Sequence, residues 1–248
     1  AWTAGGMTVS VSAEDAWGNT VAAEHPIELD LNAVAVTIDT VTTDDMLNAA
    51  EKGADVTLSG QTQGVEAGQT VVVKFADQTF TAQVQQDGSW RLTVPASAME
   101  TLIDGRAQVS VSVTNGNGNS ADASRVVIVD TQPPAITLDN LTDDNIINAA
   151  EAQQDLMLSG STTAEVGQTV TVTLNGKSYQ TTVQADGRWQ LNVPAADVGA
   201  LTDGNVTVTA TVSDVAGNSS SADRVGLVDA TVPQVIINDF VTDTNTVD

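Results

Sequence analysis

The sequence of 248 residues contains no cysteine and a single histidine, His25. No disulfide can therefore hold the chain together, and a metal site built from several histidines is excluded. Catalysis by a nucleophile and its general base also lacks the residues that it most often uses. These absences predict that the protein is not an enzyme, and they leave His25 as a surface residue.

Positive charge is scarce as well, because 8 Lys and Arg residues stand against 32 acidic residues, giving a net charge of -24. Nucleic acids and anionic membrane surfaces would repel such a chain, so neither is an expected partner, and divalent cations are its natural counterions. No apolar run approaches the ~20 residues of a membrane helix, so membrane insertion is not expected. The first five residues do not resemble a signal peptide, and we expect the chain to be part of a longer one.

The chain repeats itself with a period of about 100 residues. The phrase Leu-Asn-Ala-Ala-Glu at 47–51 returns as Ile-Asn-Ala-Ala-Glu at 147–151, and the Asp-Gly pair at 87–88 returns at 186–187. Such a period indicates an array of like modules. A feature that is present in each copy is more often part of the architecture than part of an active site.

Each repeat has the pattern of a β-protein. Val206, Val208, Ala210 and Val212 alternate with threonine, which predicts a half-buried strand. Two turn signals, Asn-Gly at 175–176 and Asp-Gly at 186–187, are each predicted to close a hairpin. Short β runs without a long helical period predict an all-β fold, namely tandem immunoglobulin-like β-sandwich modules of about seven strands each.

The tryptophans of the chain divide into two that recur in both repeats and others that lack a full counterpart. Trp90 and Trp189 lie at matching positions in the two repeats, so we expect both to pack in the cores. Trp17 lacks a full counterpart and lies in a predicted loop, where it is a candidate contact residue.

Prolines mark the boundaries between modules. Asp130 and Asp229 each end the predicted last strand of a repeat. Pro133 and Pro134 follow Asp130, and Pro233 follows Asp229, which predicts short, semi-rigid linkers. The expected divisions are the end of one module at 1–33, complete modules at 34–133 and 134–232, and the start of another at 233–248.

Three sets of acidic residues recur near these boundaries. One set follows the opening strand of each repeat: Asp39, Asp44, Asp45, Asp139, Asp143 and Asp144. Another lies in the linkers: Asp30, Asp130 and Asp229. The last lies in the loop before the final strand: Asp15 and Asp214, with Asn115 in the copy between them.

These three sets form a candidate calcium site. In an immunoglobulin-like sandwich, the loop before the final strand lies at the end where the chain enters, and we expect the loop after the opening strand at the opposite end. Stacked modules would then bring the sets together around the linker aspartate. Carboxylates and backbone carbonyls could supply the 6–8 oxygen ligands that Ca²⁺ requires.

A structural explanation of the same residues remains open. Asp44 and Asp144 could instead cap the short helical turn at Asn-Ala-Ala-Glu, and Asp214 and Asn115 could be ordinary turn residues. No linear EF-hand loop is present, so the calcium hypothesis depends on convergence in three dimensions.

The first complete repeat contains a set of characteristic motifs: Asp-x4-Asp-Asp-Met-Leu-Asn-Ala-Ala-Glu at 39–51, Leu-Ser-Gly at 58–60, Glu-Ala-Gly-Gln-Thr-Val at 66–71, Asp-Gly-Ser-Trp at 87–90 and Val-Pro at 94–95. Together these motifs resemble the bacterial Ig-like repeats of giant non-fimbrial adhesins, which Gram-negative bacteria export by type I secretion. The resemblance covers both complete repeats and both partial ends.

The resemblance implies a monomeric, rod-like stalk at the bacterial surface that presents an adhesive tip to a glycan or protein of a host cell. It implies neighbouring modules of the same chain as partners, with Ca²⁺ at their junctions, and it supports the aspartates above as ligands. Asn115 and Asn145 depart from this pattern, since they replace the aspartates found at 15 and 45. An alternative function is an Ig-like module that itself binds a host glycan or protein, for which Trp17 and Tyr179 are the candidate contacts.

Overall fold

The computed structural model describes residues 5–29 and 33–237 and divides the chain into two compact units, Ala1–Gln132 and Pro133–Asp248. Both units consist mainly of β-strands. None of the helices in these described residues is long and apolar enough to cross a membrane.

The first unit begins with a β-hairpin of two ten-residue strands, β1 (Gly5–Glu14) and β2 (Thr20–Leu29). The apolar side chains of Val9 and Val11 on β1 are exposed, whereas Val109 and Val111, a hundred positions later, are buried. Within the described residues, the hairpin therefore lacks the second sheet that covers the same strands in a complete sandwich.

The rest of the first unit, here called the first sandwich, consists of two sheets. Its elements are β3 (Ala35–Val36), β4 (Met46–Leu47), α1 (Ala49–Lys52), β5 (Val56–Gln63), β6 (Thr70–Phe75), β7 (Gln78–Gln83), β8 (Ser89–Val94), α2 (Ala96–Met99), β9 (Gly105–Thr114) and β10 (Ser120–Val129). One sheet has the order β4-β10-β9-β6-β7 and the other has the order β3-β5-β8. The opening strand is split between the sheets, because β3 pairs antiparallel with β5 while β4 pairs parallel with β10.

The second unit contains the second sandwich, which repeats this topology. Its elements are β11 (Ile146–Asn148), a 3₁₀ turn (Glu151–Gln153), β12 (Leu156–Ser161), β13 (Thr169–Leu174), β14 (Lys177–Thr182), β15 (Arg188–Val193), α3 (Ala195–Val198), β16 (Gly204–Ser213) and β17 (Ser219–Asp229). The sheets have the orders β11-β17-β16-β13-β14 and β12-β15, and a bridge from Ile136 to Thr162 takes the place of β3. The prediction of an all-β, immunoglobulin-like fold is confirmed.

A tryptophan lies at the centre of each core. Trp90 and Trp189 are both buried, as predicted, and Trp90 Nε1 donates a hydrogen bond of 3.0 Å to the backbone oxygen of Thr37. Trp90 is paired in register with Gly60, where a Cβ atom would lie 1.9 Å from the same Thr37 oxygen. A glycine is therefore required at this position, because the opening strand passes directly against it.

The two predicted hairpin turns have different outcomes. Asn175 and Gly176, with φ angles of 48° and 74°, join the paired strands β13 and β14, as predicted. The hairpin predicted at Asp186 is wrong, because β14 pairs with β13 while β15 pairs with β12. That turn instead carries the chain from one sheet to the other.

The repeated Asn-Ala-Ala-Glu phrase forms a capping box. Asn48 Oδ1 accepts a hydrogen bond from the Glu51 backbone nitrogen at 2.9 Å, and Glu51 Oε2 accepts one from the Asn48 nitrogen at 3.1 Å. Asn148 and Glu151 repeat both bonds. The helix cap is therefore asparagine, and the suggestion that Asp44 or Asp144 caps this turn is wrong.

We predict that Gly60→Ala lowers the free energy of unfolding of the first sandwich by about 3 kcal/mol or more, because the methyl group would overlap a backbone oxygen that cannot move freely. The measurement is urea denaturation followed by tryptophan fluorescence. Gly53→Ala is the control, since its Cβ would meet ordinary contacts of 3.4 and 3.5 Å, and it should stay within about 1 kcal/mol of wild type. Equal effects of the two substitutions would contradict the close approach.

Candidate functional site

The acidic residue before the final strand closes its own loop. Asp15 Oδ1 accepts hydrogen bonds from the backbone nitrogens of Trp17 at 2.9 Å and Asn19 at 3.0 Å. Asp214 Oδ1 accepts from the Asn218 nitrogen at 2.8 Å, and its Oδ2 accepts from Asn218 Nδ2 at 3.0 Å. The pKa of Asp15 is lowered, chiefly by the side-chain hydrogen bond from Asn19. These carboxylates thus perform the turn role that the sequence left open.

Asn115 serves the same turn without a charge. Its Oδ1 accepts from the Asn119 nitrogen at 2.9 Å, while its Nδ2 donates to the Gly64 oxygen at 3.2 Å. Gly64 lies where the chain enters the sandwich, since a Cβ there would lie 2.6 Å from the Ala33 oxygen. This loop is therefore at the end of the sandwich where it was expected.

A glutamate that the sequence reasoning missed ties the same loop to its neighbour. Glu66 Oε2 accepts from the Gly116 nitrogen at 2.9 Å, and Glu165 Oε2 accepts from the Val215 nitrogen at 3.1 Å. The repetition of this glutamate two residues before a glycine was the signal available in the sequence. Its repeated bond adds a carboxylate to the end of the sandwich where the chain enters.

Two aspartates after the opening strand lie elsewhere than expected. Asp39 Oδ2 accepts a hydrogen bond of 2.7 Å from Ser59, in the middle of β5. Asp45 forms a two-pronged ion pair with Arg125, with distances of 2.5 Å from Nε and 2.6 Å from Nη2. Arg125 pairs with Val109 near the middle of β9. Both carboxylates therefore lie along the side of the sandwich, because the opening strand crosses there from one sheet to the other.

Arg125 is the main cause of the lowered pKa of Asp45. Its hydrogen bonds hold the pKa of Asp45 below the usual value for an aspartate. Arg125 Nη1 also donates to the Ile38 oxygen at 3.0 Å, so one guanidinium binds both sides of the strand crossover. Asp45 thus acts as an anchor for the split strand.

The second sandwich lacks this ion pair. Asn145 Nδ2 donates to the Val225 oxygen at 2.7 Å, and Arg224 Nη2 donates to the Leu138 oxygen at 2.6 Å. Arg224 Nε is buried and has no hydrogen-bond partner among the described residues. With asparagine at 145, Arg224 Nε has no acceptor among the described residues. In the first sandwich, Asp45 accepts the equivalent hydrogen bond from Arg125 Nε.

The remaining aspartates of this segment differ in their hydrogen-bond partners. Asp44 and Asp144 accept hydrogen bonds of 3.0 Å from the nitrogens of Met46 and Ile146, and the Ile146 bond is the main cause that lowers the pKa of Asp144. Asp139 accepts a bond from Ser159 at 2.8 Å. Asp143 is exposed and has no hydrogen bond within the described ranges. Asp143 is therefore the aspartate of this set whose oxygens are uncommitted.

Each linker is bound by an aspartate that the sequence reasoning did not select. Asp104 Oδ1 accepts from the Thr131 nitrogen at 3.0 Å and from the Thr131 hydroxyl at 2.8 Å. Asp203 Oδ1 accepts from the Ala230 nitrogen at 2.8 Å, and its Oδ2 accepts from the Thr231 hydroxyl. The threonine hydroxyls are the main cause that lowers the pKa of both aspartates. The repeat of Asp104-Gly105 as Asp203-Gly204 was the available signal.

The linker aspartates themselves flank these contacts. Asp130 Oδ1 accepts from the Gln132 nitrogen at 3.1 Å. Asp229 is exposed at the end of β17, opposite Asn148 in the strand register. Asp30 lies outside the described residues. The two described linker aspartates therefore stand beside the residues that Asp104 and Asp203 hold.

Carboxylate oxygens are suitable ligands for Ca²⁺. Within residues 5–29 and 33–237, however, no group of three or more acidic, histidine or cysteine side chains lies close enough to hold a metal ion. The acids of either unit are dispersed over separate turns, so neither unit by itself gathers a complete set of carboxylate ligands.

The aromatic candidates differ in exposure. Trp17 is 86% exposed in the β1–β2 loop. Tyr179 is half-buried, and its hydroxyl donates to Asp197 Oδ2 at 2.7 Å. Burial and this hydrogen bond raise the pKa of Tyr179 to about 12. Tyr179 is thus engaged inside the second sandwich, which leaves Trp17 as the exposed candidate, with His25 exposed on β2.

We predict opposite effects for two reciprocal substitutions. Asp45→Asn should lower the free energy of unfolding of the first sandwich by about 1 kcal/mol at pH 7, because the ion pair is partly exposed. Asn145→Asp should stabilise the second sandwich, because a carboxylate there would supply the missing acceptor for Arg224 Nε. The measurement is urea denaturation. Destabilisation by both changes would contradict the assigned role of the ion pair.

The effect of Asp45→Asn should depend on pH. The folded-state pKa of Asp45 is lowered, so its stabilisation is present above the unfolded value of about 3.9 and is lost as pH falls through the folded value. The difference between wild type and variant should therefore shrink below about pH 4. A difference that grows on acidification would show that the ion pair is not its source.

Comparison with known proteins places this geometry among bacterial modules. Residues 134–230 match the family described as bacterial Ig-like domain, and no curated protein matches the sequence. A Ca²⁺-stabilised adhesin with which an Antarctic bacterium binds ice is 30% identical, with a TM-score of 0.53 over 92% of this chain. A structure concerned with host cell surface retention of a 1.5-MDa bacterial ice-binding adhesin is 29% identical, with a TM-score of 0.51 over 90% of this chain.

The chain spans 58% of the first of these structures and 74% of the second. The predicted resemblance to bacterial Ig-like repeats of adhesins is confirmed at the level of the domain and its structural relatives. Ig-like adhesin repeat domains of this kind are structural modules and not enzymes.

Proposed function

We propose that the chain is a segment of the stalk of a large adhesin at the bacterial surface, and that Ca²⁺ at the junctions between modules stiffens this stalk. Residues 34–133 and 134–232 are its complete modules, and residues 1–33 and 233–248 belong to neighbouring modules. Similarity to a Ca²⁺-stabilised adhesin over 92% of the chain supports this function. The parent protein would present its adhesive tip to a glycan or protein of a host cell.

The observation that carries the proposal is the repeated contact between an aspartate and the linker. Asp104 binds Thr131, and Asp203 binds Ala230 and Thr231, each with two hydrogen bonds. A tether between independent domains would gain nothing from such contacts. A stalk does gain from them, because they extend the ordered part of each sandwich into the linker. The prolines that follow in the sequence restrict the φ angles of the linker further.

The distribution of charge supports the role of calcium. Asp143 and Asp229 are exposed and are not part of a salt bridge within the described residues. Unscreened carboxylates repel one another within the ~8 Å Debye length at physiological ionic strength. Bound Ca²⁺ supplies the positive charge that converts this repulsion into attraction. Extracellular modules bind with dissociation constants of ~10⁻⁴–10⁻³ M, so the sites would fill outside the cell.

We predict that calcium stabilises the chain and extends it. At a calcium concentration about tenfold above the dissociation constant, the gain in the free energy of unfolding should be about 1.4 kcal/mol per site. Differential scanning calorimetry with calcium and with chelator measures the stability, and small-angle X-ray scattering measures the maximum dimension. The same melting temperature and maximum dimension in both conditions would contradict the stiffening function.

Two aspartate variants identify the sites. Asp130→Asn and Asp229→Asn should each reduce the increase in melting temperature that calcium produces. Asp122→Asn is the matched control, because it removes the same charge from an exposed position on β10 outside the three acidic sets. Asp45→Asn should also leave the calcium effect unchanged, since Arg125 occupies that carboxylate. Loss of the effect in Asp122→Asn would point to general charge screening instead.

The alternative function, direct binding of a host glycan or protein by a module, is favoured by one observation, the 86% exposure of Trp17. For the stalk function, we expect Trp17→Ala to leave binding to a glycan array unchanged. The variant should also fold normally, because the side chain is not packed. Binding of the wild type that Trp17→Ala abolishes would favour the alternative.

A further inference from the structure

A groove of about 680 Å³ lies on the first sandwich, at the turn between β6 and β7 and the beginning of β9. This volume is within the ~300–1,000 Å³ that is usual for small-molecule sites. The loop at 101–103 forms one side of the groove, and Lys74, Arg106 and Gln108 contribute to its lining. None of these residues belongs to the three acidic sets or to the linker contacts.

The groove concentrates positive charge in an acidic protein. Lys74 and Arg106 are two of the 8 basic residues of the chain, and both are exposed. The described part of the chain provides neither of them with a salt bridge, in contrast to Arg125 and Lys177. Their charges are therefore available to an anionic ligand.

The second sandwich has neutral residues at the positions of Lys74 and Arg106. Its nearby cation, Lys177, aligns with Gln78 of the groove and forms a salt bridge with Asp197. Lys74 is opposite Ser110 in the strand register, and Thr173 is opposite Thr209 at the matching place. The same alignment places Asn205 at the position of Arg106. The two cations are thus not required by the fold, which forms equally well with threonine and asparagine.

The other lining groups select among anions. Thr79, Gln108 and Ser110 offer hydroxyl and amide groups, and Asp77 adds one carboxylate. A carboxylate in the lining would repel a polyanion such as a sulfated chain, but it accepts hydrogen bonds from hydroxyl groups. The combination fits a ligand that has many hydroxyl groups and a single negative charge.

The groove is also held in shape before any ligand binds. Lys52 Nζ donates to the Leu102 oxygen at 2.5 Å, and Asp104 is bound to Thr131. These contacts fix both ends of a loop on which Ile103 is 83% exposed. A preorganised apolar side chain at the rim can contact the C–H face of a sugar ring at a small entropic cost.

We propose that this groove binds an acidic saccharide, with Lys74 and Arg106 at the sugar carboxylate, Asp77, Gln108 and Ser110 at its hydroxyl groups and Ile103 against its ring. The first sandwich would thereby have a ligand site that the second does not. The groove uses none of the proposed calcium ligands, so either proposal can fail without the other.

The test is an NMR titration of the full chain with a disaccharide that contains glucuronic acid. The backbone amides of Gln108 and Ser110 should shift, while those of Thr207 and Thr209 in the second sandwich should not. The methyl ester of the same disaccharide, which has no charge, and inorganic sulfate should both bind at least about tenfold more weakly. Absence of shifts, or equal binding of the ester, would overturn the proposal, as would tighter binding of sulfate.

Substitutions that copy the second sandwich test the two cations. Lys74→Thr and Arg106→Asn should each weaken binding about tenfold, because each removes a charge-assisted hydrogen bond. Arg91→Gln is the control, because Arg91 is exposed on β8, in the other sheet of the same sandwich, and its loss removes a charge of the same sign. Equal weakening by Arg91→Gln would reduce the effect to overall charge and overturn the assignment of the site.

Discussion

The close approach of the opening strand to the central tryptophan determines much of the architecture of each sandwich. In the first sandwich, Thr37 accepts the indole hydrogen bond of Trp90, and Gly60 leaves the space that this contact needs. In a chain without cysteine, such packing replaces the disulfide that joins the sheets of many extracellular domains. The same contact directs the strand along the side of the sandwich, where it crosses to the second sheet. The crossover then places Asp45 beside Arg125 and away from the ends.

The acidic character of the chain has a structural explanation before it has a functional one. Aspartate is short enough to accept hydrogen bonds from backbone nitrogens two to four residues ahead, and Asp15, Asp144 and Asp214 do so. The pKa of Asp15 is lowered chiefly by the side-chain hydrogen bond from Asn19, and the pKa of Asp144 is lowered chiefly by the backbone bond from Ile146, so the turns favour the charged form. The chain thus accumulates negative charge as a result of how it makes turns. Calcium would then act on charges that the architecture already requires.

Local patterns predicted the fold because they report local physics. Alternation of valine and threonine predicted the strands, and Asn175-Gly176 predicted a two-residue turn, since both residues must adopt positive φ angles. Asp186-Gly187 led to a wrong hairpin prediction, because the same kind of turn can join two strands of one sheet or two strands of different sheets. The partners of Asp45 and Asp104 lie 80 and 27 residues away, so neither ion pair nor linker contact could be read from neighbouring positions. Only the repetition of Asp104-Gly105 marked that residue as structural.

Repetition separates architecture from special function in both directions. Positions that recur, such as the capping asparagine at 48 and 148, maintain a fold that each copy needs. Positions that differ between the two sandwiches, while the strand register stays the same, are not needed for the fold. Asn145 replaces Asp45 and leaves the nitrogen Nε of Arg224 unpaired, which costs stability without a visible gain. Lys74 and Arg106 show the opposite departure, because both are exposed and form no salt bridge within the described residues, and the proposed ligand would account for their place in one groove.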